Sequence, residues 1–318
     1  MKSQDRSLLL VASTGGHLAQ LHDIADRLPH GGRRRWVTFD GPQARTLLAK
    51  EDVAFIPYIA ERDVAGVARA LLHARRLVAE TLPVRAVVST GSAIALAFLP
   101  YAAARGIPAH YIESAARTGK LSMTGRLLSA VPGVHLYRQY PQAAGGRWRY
   151  AGSIFDGFEP RAASPRPVRR IVVTLGASAR FRRLLERLTA IIPTGAEVLW
   201  QTGDTPTEGL GIEPRPFIPA QALSAAMQAA DVVVAHAGCG SALAALKAGK
   251  RPVLVPREPG ADAVVDAHQQ EIATWLEARG LAVSRTVGML KLDALQQASS
   301  WKVEQKSTVP TFRLEGIG

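Results

Sequence analysis

Short apolar runs alternate along the chain with longer segments in which apolar residues recur every three or four positions. Leu8–Ala12 is an unbroken apolar run, typical of a buried strand, and the apolar positions of Leu18–Leu28 lie on one helix face. Four further runs predict strands in the first half: Trp36–Phe39, Val53–Pro57, Ala86–Ser89 and His110–Ile112. Helix and strand patterns in alternation predict an α/β fold with a parallel sheet covered on both faces.

The same alternation restarts after a proline-rich segment, 159–167, which is interpreted as a linker. The predicted strands of the second half are Ile171–Leu175, Glu197–Trp200, Asp231–Ala235, Pro252–Val255 and Leu281–Val283. The predicted helices are Ala179–Ile191, Pro219–Ala229, Ser241–Ala248 and Asp266–Arg279. We therefore expect two doubly wound domains that face each other across a cleft, residues 1–162 and 163–300, with 301–318 as a loose C-terminal tail.

Composition and charge narrow the classes of function. The 318 residues include one cysteine, Cys239, which excludes a disulfide scaffold and suits a reducing compartment. The net charge of +13, of which +9 lies in the first half, fits anionic lipid, a phosphorylated substrate or an ordinary solvated surface. Aromatic residues do not interleave with the basic ones, so we expect no nucleic-acid partner. No signal peptide or membrane-spanning segment is evident, and a cytoplasmic location is expected.

A glycine pair follows the first predicted strand. Gly15 and Gly16 open the next helix, where backbone N–H groups favour an anion such as a diphosphate. The run is neither a dinucleotide fingerprint nor a Walker A loop. His17, at the mouth of this loop, is either a general base for a hydroxyl or a histidine that only caps and packs.

The second half carries glycine-bearing loops after several strands. Gly238 and Gly240 surround Cys239 just after His236, and Ser241 follows at the start of a helix. Thr174–Ser178 and Gln201–Gly203 end two other strands, and Asp266–Glu271 brings polar side chains to a helix start, which suits recognition of sugar hydroxyls. Together these loops favour a nucleotide site. We expect no metal and no cofactor, because the histidines are scattered and no metal motif is present.

These motifs, in this order, resemble glycosyltransferase family 28 of the GT-B fold. The first half resembles the membrane-associated, acceptor-recruiting subunit of the two-part polyprenyl-diphosphate-sugar transferases, through Ser13–His17, Ser89–Gly91, Tyr111–Arg117, Leu121–Gly125 and Gln139–Pro141. The second half resembles their catalytic subunit through Val173–Gly176, Gln201–Gly203, Ala235–Ser241, Gly249–Pro252 and His268–Glu271. Bacterial relatives act in exopolysaccharide synthesis, and the peptidoglycan lipid transferases are more distant.

The resemblance implies an inverting, metal-independent transfer from a UDP-sugar to a polyprenyl-diphosphate-linked saccharide at the inner face of the cell membrane. On the acceptor side it implies Gly15, Gly16 and Arg117 as binding residues, with His17 and Glu113 as alternative bases. Other polysaccharide-assembly proteins are possible partners. On the donor side it implies binding by Gly176, Gln201, Gly203, His236, Gly238, Gly240, Ser241, His268 and Gln269, and Arg257 is added as a donor-side candidate because its cation precedes His268.

One departure from the family pattern keeps alternatives open. Ala244 stands where the family usually has a glutamate for the ribose hydroxyls of UDP, which favours, as one alternative, a degenerate scaffold that only binds the lipid intermediate. A UDP-sugar 2-epimerase shares the fold, but the acceptor-side motifs argue against it. Arg257 adds a cation that could meet a carboxylate on the donor sugar, so a uronic-acid donor is a hypothesis, beside glucose and N-acetylglucosamine.

Overall fold

The computed structural model describes residues 6–29, 32–60, 63–164, 167–176, 180–260, 262 and 268–317. The chain divides into two compact units. Unit 1 consists of Met1–Asp156 with Pro310–Gly318, and unit 2 consists of Gly157–Val309. The first residues of two predicted helices, Ala179 and Asp266, lie outside the described residues.

A seven-stranded parallel sheet forms the centre of unit 1. Its strands are β1 (Ser7–Ala12), β2 (Arg34–Phe39), β3 (Asp52–Ile56), β4 (Val84–Gly91), β5 (Ala109–Ile112), β6 (Val134–Arg138) and β7 (Trp148–Tyr150). Their spatial order is β3-β2-β1-β4-β5-β6-β7. The helices are α1 (Gly16–Ala25), α2 (Pro42–Leu47), α3 (Val64–Thr81), α4 (Ala93–Ala104) and α5 (Met123–Ser129). Because the order reverses between β1 and β4, ligands are expected at the carboxyl ends of these two strands.

Burial explains why the strand predictions in unit 1 were correct. Leu8–Ala12 is almost fully buried, as expected for a central parallel strand covered on both faces. Helix α4 is apolar on most sides because it packs against α3, α5 and the sheet. Within the described part of the chain, no helix has both the length and the apolar composition needed to cross a bilayer.

Unit 2 contains a six-stranded parallel sheet of the same kind. Its strands are β9 (Arg170–Thr174), β10 (Glu197–Gln201), β11 (Pro214–Arg215), β12 (Val232–Ala235), β13 (Val253–Leu254) and β14 (Val283–Ser284), in the order β11-β10-β9-β12-β13-β14. The helices are α6 (Arg182–Ile191), α7 (Ala220–Ala229), α8 (Cys239–Lys247), α9 (His268–Ala278) and α10 (Leu292–Ser299). The order reverses between β9 and β12, the counterpart of the β1–β4 position in unit 1.

The linker and the tail differ from expectation. Phe158–Ala162 (β8) and Trp301–Gln305 (β15) form an antiparallel ribbon within unit 2, so neither segment is loose. Only Val303 is buried in β15, which left little apolar pattern to recognise, and Pro160 is tolerated because β8 is an edge strand. The division between the units falls between Asp156 and Gly157 instead of at residue 162.

The last residues return to unit 1. Phe312 is fully buried, with the guanidinium of Arg27 lying 4.5 Å from its ring centroid. Arg85 donates to the carbonyl of Ile317 at 2.6 Å. The end of the expected loose tail, 310–317, is therefore an ordered part of unit 1.

Candidate active site

The glycine pair after β1 presents open backbone. Gly15 has φ +87° and precedes α1, and no atom lies within 4 Å of the place where a Cβ would stand on Gly15 or Gly16. The amide of Gly15 donates to Gln43 Oε1 at 2.6 Å, and Gln43 Nε2 donates back to the Gly15 carbonyl at 3.1 Å. This pairing holds the loop in place, while the start of α1 stays open to an anionic ligand.

The His17 ring is held by strand β4. Its Nδ1 lies 2.8 Å from the carbonyl oxygen of Thr90, and the Thr90 hydroxyl donates to the His17 carbonyl at 2.8 Å. A carbonyl can only accept, so Nδ1 carries the hydrogen and Nε2 of the neutral ring is the free acceptor. Burial lowers the pKa of His17, with the positive charge of Arg117 acting in the same direction. A neutral imidazole with a free Nε2 is the form that a general base requires.

Gly91 provides the space in which the His17 ring lies. A Cβ on Gly91 would stand 3.0 Å from His17 Cε1 and 3.2 Å from the hydroxyl of Tyr111, and its φ of +122° is unfavourable for any other residue. Ser92 follows with φ 70°, a strained backbone for a residue with a side chain. No sequence pattern indicates this strain, which is concentrated at the turn beside His17.

Glu113 is fully buried, and both of its carboxylate oxygens are engaged. Oε1 accepts from the Tyr111 hydroxyl and the Ser114 amide, each at 3.1 Å. Oε2 accepts from the amide and the hydroxyl of Ser122, each at 3.0 Å. The position of a Cβ on Gly125 would be only 2.3 Å from Oε2. Glu113 therefore ties the two ends of segment 113–122 together, and its geometry is that of a positioning group.

Arg117 lies within this segment and is close enough to His17 to influence its pKa. A buried amide network beneath the segment was not predicted. Gln20 donates to the Ser114 hydroxyl at 2.9 Å and accepts from the Ala115 amide at 2.8 Å. Gln139 connects Gln20 to the carbonyl of Glu113, with both contacts at 3.1 Å. Gln20 lies on the buried face of α1. A polar residue among the apolar positions of that face is the sequence feature that could have indicated this network.

In unit 2, a polar pair lies at the ends of the neighbouring strands β9 and β10. The Thr174 hydroxyl donates to Gln201 Oε1 at 2.6 Å and accepts from the Gly176 amide at 3.3 Å. Gly176 and Gly203 have positive φ values, 74° and 56°, which these turns require. Gln201 is buried, and its hydrogen bond with Thr174 holds the loop after β9 in place.

His236 follows β12 and lies against two glycines. A Cβ on Gly238 would be 2.3 Å from His236 Nε2, and one on Gly176 would be 3.3 Å from Cε1. Burial lowers the pKa of His236 to about 4, so the ring is neutral at physiological pH. Ala237 has φ 60°. Among the residues that the structure describes, Ala237 and Ser92 are the two non-glycine residues with positive φ. Each of these two strained turns follows a strand at the reversal point of its sheet.

Helix α8 begins with the glycine loop. Gly238 is its N-cap and has no side-chain cap, and the Cβ position of Gly240 is open, with no atom within 4 Å. Ser241 lies in the first turn of α8 and is not its N-cap. Ala244 packs against the small apolar cluster that includes Met227 and Ala245. The first turn of α8 is thus available to an anion, as at α1.

The last group of donor-side residues surrounds α9. Gln269 is buried, and its Oε1 accepts from the main-chain N–H of Arg257 at 3.1 Å and from its Nε at 3.4 Å. His268 is the first residue of α9, and its charge and that of Arg257 both influence the pKa of His236. His268, Arg257 and His236 therefore lie near one another. Among the described residues, no group of three or more His, Cys, Asp or Glu side chains is arranged to hold a metal ion.

Comparison with known proteins agrees with this arrangement. Residues 171–299 match the glycosyltransferase family 28 C-terminal domain. The chain is a glycosyltransferase whose unit 2 is similar to the C-terminal domain of family 28. It is 27% identical over 305 residues to the UDP-N-acetylglucosamine–N-acetylmuramyl-(pentapeptide) pyrophosphoryl-undecaprenol N-acetylglucosamine transferase of Parasynechococcus marenigrum (strain WH8102), covering 87% of this chain and 82% of that protein.

Solved structures agree on the fold. The crystal structure of Acinetobacter baumannii MurG is similar with a TM-score of 0.60 and 22% identity, covering 92% of this chain and 89% of that one. Arabidopsis thaliana UGT89C1, complexed with UDP-L-rhamnose, is similar with a TM-score of 0.59 and 12% identity, covering 94% and 90%. The predicted α/β fold with two Rossmann-like parallel-sheet domains is therefore confirmed, and it is the GT-B fold.

Proposed function

We propose that this family 28-like glycosyltransferase moves a sugar from a UDP-sugar to a hydroxyl of a saccharide carried on polyprenyl diphosphate, with inversion and without a metal ion. The proposed setting is exopolysaccharide or cell-surface glycan synthesis. The similar transferase of Parasynechococcus marenigrum acts, by its name, on UDP-N-acetylglucosamine and a pyrophosphoryl-undecaprenol acceptor, which supports both substrate classes. The observation that carries the proposal is the neutral His17 ring, fixed to Thr90 with Nε2 free beside the open glycine loop.

On the acceptor side, His17 Nε2 removes the proton of the attacking hydroxyl. The acceptor oxygen forms a bond to the anomeric carbon as the bond from that carbon to the diphosphate oxygen breaks, and UDP leaves with the electron pair. A single displacement of this kind inverts the anomeric centre. In this proposal the start of α1 at Gly15 and Gly16, together with Arg117, binds the acceptor diphosphate, and Glu113 positions the segment that carries Arg117.

On the donor side, the open start of α8 at Gly238–Ser241 stabilises the negative charge that develops on the leaving UDP. His236 is held neutral, so it binds as a hydrogen-bonding group and not as a cation. The loops ending in Gly176 and Gly203 and the Gln201 side chain complete the nucleotide site. Gln269 and His268 contact the donor sugar. Ala244 offers no oxygen to the ribose, which predicts weaker nucleotide binding than a glutamate at this position would give.

A thermal-shift titration of the full chain tests the donor half of the proposal. UDP, UDP-glucose, UDP-N-acetylglucosamine, UDP-glucuronate, GDP and TDP are compared with and without EDTA. We expect stabilisation by UDP and a UDP-sugar that EDTA does not change, because a bound ligand raises stability with its concentration over its Kd. Transfer of labelled sugar to a polyprenyl-diphosphate saccharide then tests catalysis. If the protein melts cooperatively and no nucleotide shifts its melting, the non-catalytic scaffold replaces this proposal.

We further propose peripheral contact between unit 1 and the inner face of an anionic membrane. Helix α3 exposes Leu71 and Leu72 beside the exposed Arg75 and Arg76. Helix α5 exposes Met123 and Leu127 beside the exposed Arg126. Apolar side chains next to arginines suit the boundary between lipid headgroups and acyl chains.

The three consecutive arginines at 33–35 contribute little to this surface, because two of them are ion-paired. Arg34 is paired with Asp26 and Glu51, and Arg35 contacts Glu80 and Asp52. Co-sedimentation with vesicles of phosphatidylcholine and phosphatidylglycerol tests the contact. We expect L72E/R75E to lose binding that the wild type shows, while R215E/F217E, the same change of charge and polarity at exposed residues of unit 2, leaves most of it. Equal binding by L72E/R75E and the wild type would contradict the membrane proposal.

A further inference from the structure

Arg257 is anchored to a residue proposed to contact the donor sugar. It follows β13, is half-buried, and donates to Gln269 through its main-chain N–H and its Nε. Because Nε is engaged, the two terminal Nη groups remain as the part of the planar guanidinium that can bind another group. A guanidinium held in one orientation loses little freedom when it forms a paired hydrogen bond.

The nearby acidic residues of the same loop are paired with a different arginine. Arg183, on α6, lies 3.3 Å from Glu258 Oε2 and 3.3 Å from Asp262 Oδ2. Asp262 also accepts from the Glu258 amide at 2.8 Å, which closes the loop. Among the residues that the structure describes, no carboxylate lies within 4.0 Å of the Arg257 guanidinium, and its hydrogen bonds come from the main-chain N–H and Nε and not from the Nη atoms. Burial lowers the pKa of Arg257 in spite of the negative charge of Asp262, whose carboxylate is shared with Arg183 and the Glu258 amide. The half-buried guanidinium is therefore only partly compensated, which favours a ligand that supplies negative charge.

We infer that Arg257 binds a carboxylate on the donor sugar, so the preferred donor is a nucleotide-linked uronic acid. The inference rests on the proposed function. The start of α8 already provides N–H groups for the diphosphate, whereas Arg257 is fixed to Gln269 on the sugar side. The positive charge of Arg257 contributes to the lowered pKa of His236, so Arg257 lies near the residues of the proposed donor site. Carboxylates accept two parallel N–H bonds from a guanidinium, and the two Nη groups fit this pairing.

Calorimetric titration of the full chain with UDP, UDP-glucose, UDP-N-acetylglucosamine and UDP-glucuronate tests the inference. The variants are R257Q, R257K and, as a matched control, R285Q, which removes one positive charge from a half-buried arginine paired with Glu277 elsewhere in unit 2. We expect the wild type and R285Q to bind UDP-glucuronate at least about tenfold more tightly than the neutral UDP-sugars, since charged hydrogen bonds contribute this much. R257Q should lose this preference and keep its affinity for UDP. R257K should retain part of it.

Two results would overturn the inference while leaving the proposed function in place. One is a wild type that binds UDP-glucose or UDP-N-acetylglucosamine as tightly as UDP-glucuronate. The other is an R257Q protein that loses affinity for UDP as much as for UDP-glucuronate, because the arginine would then contact the phosphates. A wild type that binds none of the nucleotides would instead overturn the proposed function, and the inference with it. Circular dichroism of R257Q and R257K checks that each variant is folded.

Discussion

The Nδ1 of His17 lies 2.8 Å from the main-chain carbonyl of Thr90, so the orientation of the ring is set by a neighbouring strand and not by its own helix. Thr90 belongs to β4, which pairs with β1, and His17 follows β1 after the glycine loop. The contact fixes one tautomer and leaves Nε2 without a proton in the neutral ring. This relationship makes His17, and not Glu113, the better candidate for the base.

Replacing His17 by glutamine tests this assignment. H17Q removes the basic nitrogen while keeping a side chain that can hydrogen-bond to the Thr90 carbonyl. We expect the transfer rate to fall by about 10²- to 10⁴-fold, the range that general base catalysis provides, with UDP affinity unchanged. Single-turnover assays and calorimetry measure the two quantities. An H17Q protein that transfers sugar at the wild-type rate would show that another group is the base.

The same assignment predicts the pH dependence of the reaction. Burial lowers the pKa of His17 below the ordinary 6.5, so the neutral, active form persists to lower pH than for an exposed histidine. We expect the acid limb of kcat/KM to fall below pH 6.5 and activity to be lost only as the pH decreases through that lowered pKa. H17Q should lack this limb in its residual rate. A limb above pH 6.5 would contradict the neutral His17 described here.

Two glycine substitutions separate donor binding from acceptor binding. G16A and G240A place a methyl group where no protein atom lies within 4 Å, each at the start of a helix. Alanine favours helix over glycine by up to about 1 kcal/mol, so neither change should destabilise the protein. Because a diphosphate needs close approach to the backbone, G240A should weaken UDP binding about tenfold, whereas G16A should raise KM for the acceptor only. G288A, in the turn before α10, is the control, and unchanged binding by both test variants would exclude these glycines from the site.

Glu113 should behave as a positioning residue and not as a base. In E113Q, one carboxylate oxygen becomes an NH2 group, which faces the main-chain N–H of either Ser114 or Ser122. Leaving a buried donor unsatisfied costs about 1–3 kcal/mol, so we expect a lower melting temperature and a higher KM for the acceptor. Y111F, which removes the Tyr111 hydroxyl from Oε1 and leaves both main-chain donors paired with the carboxylate, should show a smaller loss in the same direction. A strongly reduced kcat at wild-type stability would instead indicate that Glu113 is the base.

How much of this site the sequence could predict depends on how local each interaction is. The glycine loop and His17 follow one another in the chain, so a strand pattern ahead of them was enough to indicate an anion site. The partners that orient the ring come from other strands: Thr90 and Gly91 lie on β4 and Tyr111 on β5. Only the folded sheet brings these residues together, and sequence spacing gave no information about their contacts.

Backbone strain and weakly patterned segments were also beyond prediction. Ser92 and Ala237 adopt positive φ although neither is a glycine, because the surrounding turns impose it. The ribbon of β8 and β15 buries Val303 alone on its second strand, so its alternation was too weak to recognise. Runs that are buried on both faces, such as Leu8–Ala12, were predicted correctly because a short unbroken apolar run is typical of a central parallel strand.

A fully buried histidine in unit 1 predicts how stability depends on pH. Burial, with the charge of His135 adding to it, lowers the pKa of His110 to about 3, whereas the unfolded chain has the ordinary value near 6.5. The unfolded state therefore binds the proton first, and stability is lost as the pH falls from about 6.5 towards 3. Between pH 7 and pH 5 this group should remove roughly 2 kcal/mol from the free energy of unfolding.

H110F keeps a ring beside Tyr137 but cannot be protonated, so its urea midpoint should change less between these two pH values than that of the wild type. Its lost hydrogen bond to Tyr137 lowers stability at both pH values alike, and an equal pH response in the two proteins would contradict the buried neutral His110.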